Sequence, residues 1–306
     1  MSKNNEFKSA CNFQATKHGW VSAGFFMIFL LASHFSCGQQ SRLTAAQVIE
    51  RIQEKSGVPW SSPTVDVFKT GNPALHVTGI VTTMFATYSI LEQAVALGCN
   101  LIITHEPTFY NHLDDTVALV RSNDQVYAQK RKFIEDNKLI IWRFHDHIHM
   151  LQPDGITVGV VRRLGWEKYQ DASNRDLFRF PEVKLSDLAN SVKKSLEISS
   201  LRVIGNPDLI VSRVALAPGA PGSESQIYAL EQEQVDVLLI GESHEWETIE
   251  YARDAVEQGK KKAVIILGHV PSEEAGMEEC ARWLSTFIKE VPVKYVQTRE
   301  PYWVIK

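Results

Sequence analysis

Thr104-His105-Glu106-Pro107 puts two metal-ligating side-chain types side by side, just past the apolar run Leu101-Ile102-Ile103. Neighbouring side chains on extended backbone point to opposite sides, so His105 and Glu106 reach two different ions more easily than one. Pro107 turns the residue before it away from helix. A second cluster, His145-Asp146-His147-Ile148-His149, follows the apolar run 139–142. Read as extended chain, its three His share one face and Asp146 takes the other. Imidazole suits transition metals such as zinc, iron or nickel, and a carboxylate beside it suits bridging or orienting work. A third stretch, Gly268-His269-Val270-Pro271-Ser272-Glu273, follows the apolar run 263–267. Here Ser272 reads as a helix N-cap, leaving His269 on a strand end and Glu273 in the first helical turn. Each stretch also has a plainer reading. His105 can cap a loop, the middle cluster can hold one ligand and two structural neighbours, and Glu273 can simply answer the helix dipole.

Together the three stretches supply His, Glu, His, His and Glu. Two carboxylates offset much of the charge of a divalent pair, and a bridging carboxylate holds such ions roughly 3.5–4 Å apart. Such a pair activates water at neutral pH for attack on a carbonyl, phosphoryl or amidine-like carbon. The sequence holds no Ser nucleophile elbow, P-loop or dinucleotide-binding GxGxxG to compete with this chemistry. Gly219-Ala220-Pro221-Gly222 is a turn after a strand, with room for a ligand to approach.

The elements that position these groups follow one grammar. Short apolar runs at 76–83, 101–103, 139–142, 214–217, 237–240 and 263–267 read as strands. Helical spacing covers 44–55, 84–97, 223–234, 246–258 and 273–289, and 59–72 reads as loop and turn. Alternation of this kind predicts an α/β fold with mostly parallel sheets. Ligands in such folds gather beyond the carboxyl ends of the strands, and His105, His145, His244 and His269 all fall there. The expected division is 41–165 for a first α/β unit and 166–306 for a second, with the polar passage 168–210 holding a second smaller unit.

Residues 1–37 read separately. Lys3, Lys8 and Lys17 precede the apolar run 21–32, too short to span a bilayer comfortably, and Cys37-Gly38-Gln39-Gln40 follows. The layout is that of a secretory signal, and Cys37 stands where a bacterial lipoprotein is cleaved and lipidated. The expectation is an exported protein, periplasmic or held at a membrane surface through Cys37. Removing the segment before Cys37 takes three Lys and one Glu and moves the net charge from −4 to −6. No basic stripe remains, which disfavours a nucleic-acid partner. Cys99 and Cys280 lie in apolar surroundings, where buried free thiols are expected, with a Cys99–Cys280 pair in an oxidising compartment as the alternative.

A strand into Thr-His-x-Pro, a His-x-x-x-ligand before Asp154-Gly155, and Gly268-His269 with Ser272-Glu273 near the end form a pattern that resembles the Nif-three-like proteins. These dinuclear-metal proteins are related to the NGG-one-interacting factor and are also called type 2 GTP cyclohydrolases I. The resemblance runs from about residue 41 onward. It implies two related α/β units with metals in the cleft between them, a ring-shaped homo-hexamer, and His105, Glu106, His149, His269 and Glu273 as ligands to two divalent ions (Zn, Fe, Mn or Ni). The family pattern has His where Glu106 stands and Asp where His149 stands. The exchanges balance, so three His and two carboxylates remain. His145 and His147 are then supporting groups or a general acid, and His244, with Glu242, lines the cleft against a small-molecule substrate. Some members carry a GTP cyclohydrolase role, but export takes a chain away from GTP. The expected function is a dinuclear metal-dependent hydrolase. The alternatives are a non-catalytic metal-binding assembly module, or a degenerate member in which Glu106 and His149 mark loss of metal.

Overall fold

The computed structural model describes residues 43–305. The expected leader at 1–37, with Cys37, lies outside the described residues. Helix α1 (Ala45–Ser56) opens on a capping box: Thr44 Oγ1 accepts from Gln47 N, and the Gln47 side chain accepts from Thr44 N. Gly57 ends it in the left-handed conformation.

Strands β1 (Phe68–Thr70), β2 (Ile80–Thr83), β3 (Leu101–Thr104) and β4 (Ile140–Arg143) enter the first sheet, with helices α2 (Tyr88–Ala96), α3 (Val117–Arg121) and α4 (Gln125–Asp136) between them. Strands β2 to β4 are buried along their whole length, because helices cover both faces. The run 139–142 does not stay extended beyond its strand. A short helix α5 (Asp146–His149) follows, then α6 (Gly155–Leu164).

The second sheet is built from β5 (Leu177–Lys184), β6 (Arg202–Ile204), β7 (Ile210–Ala217), β8 (Val237–Ile240) and β9 (Ala263–Ile266). Helices α7 (Leu185–Ser195), α8 (Ser223–Glu231) and α9 (Glu250–Glu257) connect them. Helix α10 (His269–Phe287) and strand β10 (Val293–Tyr295) end the fold.

The sheet orders are β1-β4-β3-β2-β10 and β5-β7-β8-β9-β6. This is the expected α/β class with two sheets. The neighbours β10, β2, β3 and β4 pair in parallel, as do β7, β8 and β9. Antiparallel strands close the edges at β1, β5 and β6. The polar passage 168–210 is therefore no separate smaller unit, since it supplies β5, α7 and β6. The expected division at residue 165 also does not separate the sheets, because β10 returns to the first one and pairs with β2. Helices α6 and α10 lie between the two sheets. Ile156, Met277, Cys280 and Leu284 join the core under the first sheet, while Val160, Val161, Leu164 and Ala275 join the core under the second. Cys99 and Cys280 are both buried and unpaired.

Candidate metal centre

The carboxyl ends of β3, β4 and β9 meet at one place. His105 and Glu106 leave β3, His145 and His149 flank α5 after β4, and His269 and Glu273 lie in the first turns of α10 after β9. The ligand-type atoms of His105, His145 and His149 all lie within 4.8 Å of one another, and so do those of His105, Glu106 and Glu273. His269 Nε2 lies 3.0 Å from Glu106 Oε1 and 3.2 Å from Glu273 Oε2. The five expected ligands therefore converge, and His145 converges with them.

Two local readings are corrected. The chain at 145–149 is helical rather than extended, so His145 and His149, four apart, share a face and His147 is turned away. The cause is Asp66, whose carboxylate accepts from the backbone N–H groups of His145 (2.6 Å), Asp146 (3.0 Å) and His147 (2.8 Å). Those donors open the helix, and a carboxylate far away in sequence satisfies them. Helix α10 likewise begins at His269 rather than after Ser272. Pro271 is tolerated because the first turn has no intrahelical use for its missing N–H. Ser272 Oγ instead donates to His269 O and accepts from Gly219 N.

The imidazoles of His105, His145 and His149 are each tied at Nδ1. His105 donates to Phe144 O (3.2 Å), His145 faces Asp146 Oδ1 (3.0 Å), and His149 faces Asp154 Oδ2 (2.9 Å). A proton at Nδ1 leaves the Nε2 lone pair free for a metal. His105 Nε2 is buried with no hydrogen-bond partner, as is Glu273 Oε2, 3.6 Å away. Glu273 Oε2 faces His269 closely but without hydrogen-bond geometry. Buried polar atoms without partners are costly, and a divalent cation between this lone pair and this carboxylate removes the cost. The residues present thus fit a metal. Backbone shape agrees: a Cβ on Gly219 would come within 2.2 Å of Glu273 Oε1, so only glycine lets that loop close over the carboxylate.

Charge is matched within the cluster. Burial pushes His105 down to about 4, so this ring is neutral at ordinary pH. Burial alone would lower His269 too, but its contacts with Glu106 and Glu273 win and raise it to about 11. Burial would likewise raise Glu106, but the hydrogen bond with His269 and the surrounding imidazoles hold it down at about 2.

Residues 46–301 match the family described as Duf34/NIF3 (NGG1p interacting factor 3). The chain belongs to the Duf34/NIF3 family. A Clostridium acetobutylicum protein named GTP cyclohydrolase 1 type 2 homolog is 25% identical over 214 residues, covering 66% of this chain and 75% of that one. A Clostridium perfringens protein of the same name is 21% identical over 217 residues, covering 66% and 76%. In structure, a Bacillus cereus protein related to NIF3 superposes with a TM-score of 0.66 at 14% identity, covering 86% of this chain and 99% of the other. The reduced form of HcgD from Methanocaldococcus jannaschii gives 0.61 at 16% identity, covering 83% and 97%.

In this Duf34/NIF3 chain two of the expected functional His sit elsewhere. His147 is fully buried, bonded at Nδ1 to Asp66 (2.7 Å), accepting at Nε2 from Ser61 N (3.0 Å) and stacked on Trp60. It holds the 60–66 loop against the site. His244 is exposed, paired with Glu247 and stacked on Trp246, whereas Glu242 Oε1 lies 3.4 Å from His269 Nδ1. The roles that the pattern did not reveal are those of Asp66, Asp154 and Arg143. Asp154 caps α6 through Oδ1 while its Oδ2 holds His149. An Asp-Gly pair opening a helix was its visible signal. Arg143 is fully buried and donates to Glu106 Oε2 (3.0 Å), His105 O (2.9 Å) and His112 O (2.6 Å). Its signal was a lone charge ending an apolar strand. A cavity of about 1690 Å³ opens over the cluster, lined by Glu106, His145, His149, His269 and Glu273 together with Tyr110, Lys130 and Arg299.

Proposed function

We propose that this chain is a two-ion, metal-dependent hydrolase of a small molecule. The observation that carries the reading is the pair of buried, partnerless ligand atoms, His105 Nε2 and Glu273 Oε2, set among further imidazoles and carboxylates at the floor of an open cavity. Divalent ions held there supply charge neutralisation and an activated water. The protein's own part is orientation. Asp154 and Asp146 aim His149 and His145, Arg143 fixes Glu106, and Glu242 backs His269. Tyr110 and Arg299 in the cavity wall offer an aromatic face and a cation to a polar substrate, and Lys130 donates to Thr108 O beneath them. The curated relatives' name points to hydrolysis of a ring carbon–nitrogen bond, which suits an amidine-like carbon. The reading keeps GTP itself out, on the expectation that the chain is exported and anchored at Cys37. Labelling of the wild type, but not of Cys37→Ser, by a radioactive fatty acid tests the anchor.

The test of function joins metal content to turnover. Full-length protein prepared without chelators is expected to hold two divalent ions per chain. It should hydrolyse a member of a panel of cyclic amidines and phosphoesters, with activity falling more than about 100-fold in Glu273→Gln. Less than one ion per chain, or turnover that survives this substitution, rejects the reading.

A further inference from the structure

We infer that the two positions are chemically unlike, and that His145 is a ligand of an imidazole-rich one rather than a bystander. The inference rests on the two-ion reading and deepens it.

His105, His145 and His149 present their rings as a cluster, with centroids 4.6, 5.0 and 5.3 Å apart. Each ring is anchored through Nδ1 to a different acceptor: a backbone carbonyl, Asp146 and Asp154. Three separate anchors leave the three Nε2 atoms free, and the ligand-type nitrogens of the three rings lie within 4.8 Å of one another. His145 Nε2 lies 3.8 Å from Glu106 Oε1, and His149 Nε2 lies 4.0 Å from Glu273 Oε1, so the imidazoles border the carboxylates without bonding to them. Asp146 is itself held by Thr64 Oγ1 (2.7 Å) and Val65 N (3.1 Å), so its grip on His145 is rigid.

The other position is different in kind. Glu106, Glu273 and His269 give two carboxylates and one imidazole. Arg143 occupies Glu106 Oε2 and leaves Oε1 as its available donor. Glu273 faces both groups and is the shared ligand. Imidazole-rich sites favour borderline metals such as cobalt or zinc, and carboxylate-rich sites accept manganese. A mixed-metal centre with ordered loading follows.

The experiment titrates metal-free full-length protein with Co²⁺ followed by visible absorption, then with Mn²⁺ followed by electron paramagnetic resonance. The first Co²⁺ should give one tight equivalent that excess Mn²⁺ does not displace, with Mn²⁺ filling a second equivalent. X-ray absorption on the singly loaded cobalt form should count three imidazoles, matching His105, His145 and His149. His145→Gln should weaken the first equivalent about tenfold or more, and leave Mn²⁺ affinity within about twofold. Two spectroscopically identical cobalt equivalents, or two imidazoles in the singly loaded form, overturn the inference while leaving the two-ion reading intact. Failure to bind either ion defeats that reading itself. The imidazole count needs no variant, so a His145→Gln protein that does not fold leaves the test standing.

Discussion

His269 shows how one side chain links the metal-free and loaded proteins. Between Glu106 and Glu273 it holds its proton up to about 11. A metal needs the neutral ring, so loading must expel that proton. The proton sits on the metal-free form and not on the loaded one, so raising the pH favours loading, by up to about tenfold per pH unit below pH 11. Folding of the metal-free protein has the opposite sign, because there the proton sits on the folded form. The folded pKa lies above the ordinary 6.5, so the ring's stabilising share is complete below about 6.5 and is lost as pH rises through about 11. Calorimetric titration with metal at neutral pH, in two buffers of different ionisation enthalpy, should report about one proton released, and fewer in Glu106→Gln. Equal heats in both buffers would refute it. The ligand types were legible in the sequence because His and Glu stand just past apolar strands. Their supports were not. Asp66 reaches His145 from 79 positions away, and local spacing carries no trace of such a bond.

Helices α6 and α10 set the spacing of the centre. One begins beside Asp154, which holds His149, and the other begins at His269. They cross where Gly159 meets Ala275 and Gly276. A Cβ on Gly159 would lie 2.2 Å from Ala275 O and 2.7 Å from Gly276 Cα, and one on Gly276 would lie 2.5 Å from Ile156 Cα. The obstacles are backbone and cannot rotate aside. Gly159→Ala and Gly276→Ala should each destabilise the fold by about 1–3 kcal/mol and weaken metal binding as the helices part. Urea denaturation and metal titration of each variant check both effects; unchanged stability with unchanged affinity would show that the crossing does not set the site. The short, fully buried strands were readable from pattern because burial on both faces leaves a continuous hydrophobic run. Strands β1 and β10 were not, since three half-exposed residues carry no period. Strand β5 was masked by Pro181 and its charges, which suit an edge.

Across the whole molecule the site is a joint between two sheets. Ligands from β3 and α5 belong to the first, and those on α10 follow β9 of the second. An ion bound by both sides stabilises them together, by about 2.7 kcal/mol when free metal is a hundred times Kd. For a chain of this size that is a shift of roughly 5–10 °C. Differential scanning calorimetry with and without chelator should show this loss in one transition. A chelator-insensitive Tm, or a transition that splits by sheet, would show that the joint bears no such load. The division into two α/β units was visible as alternating elements, but the return of the chain was not. A helix that serves both cores looks, in sequence, like any other amphipathic helix.

That return orders events at the ribosome. Strand β2 is made well before one of its two neighbours, β10. Until it arrives, the first sheet has a bare parallel edge and its core lacks Met277, Cys280, Leu284 and Ile288. His269 and Glu273 emerge only just before. A nascent chain therefore carries half a centre on an open sheet, and a product stopped short of residue 269 carries neither the helix nor the ligands that complete it. On the two-ion reading, metal capture waits for the segment that carries His269 and Glu273, and products stopped before it are barred from forming the centre.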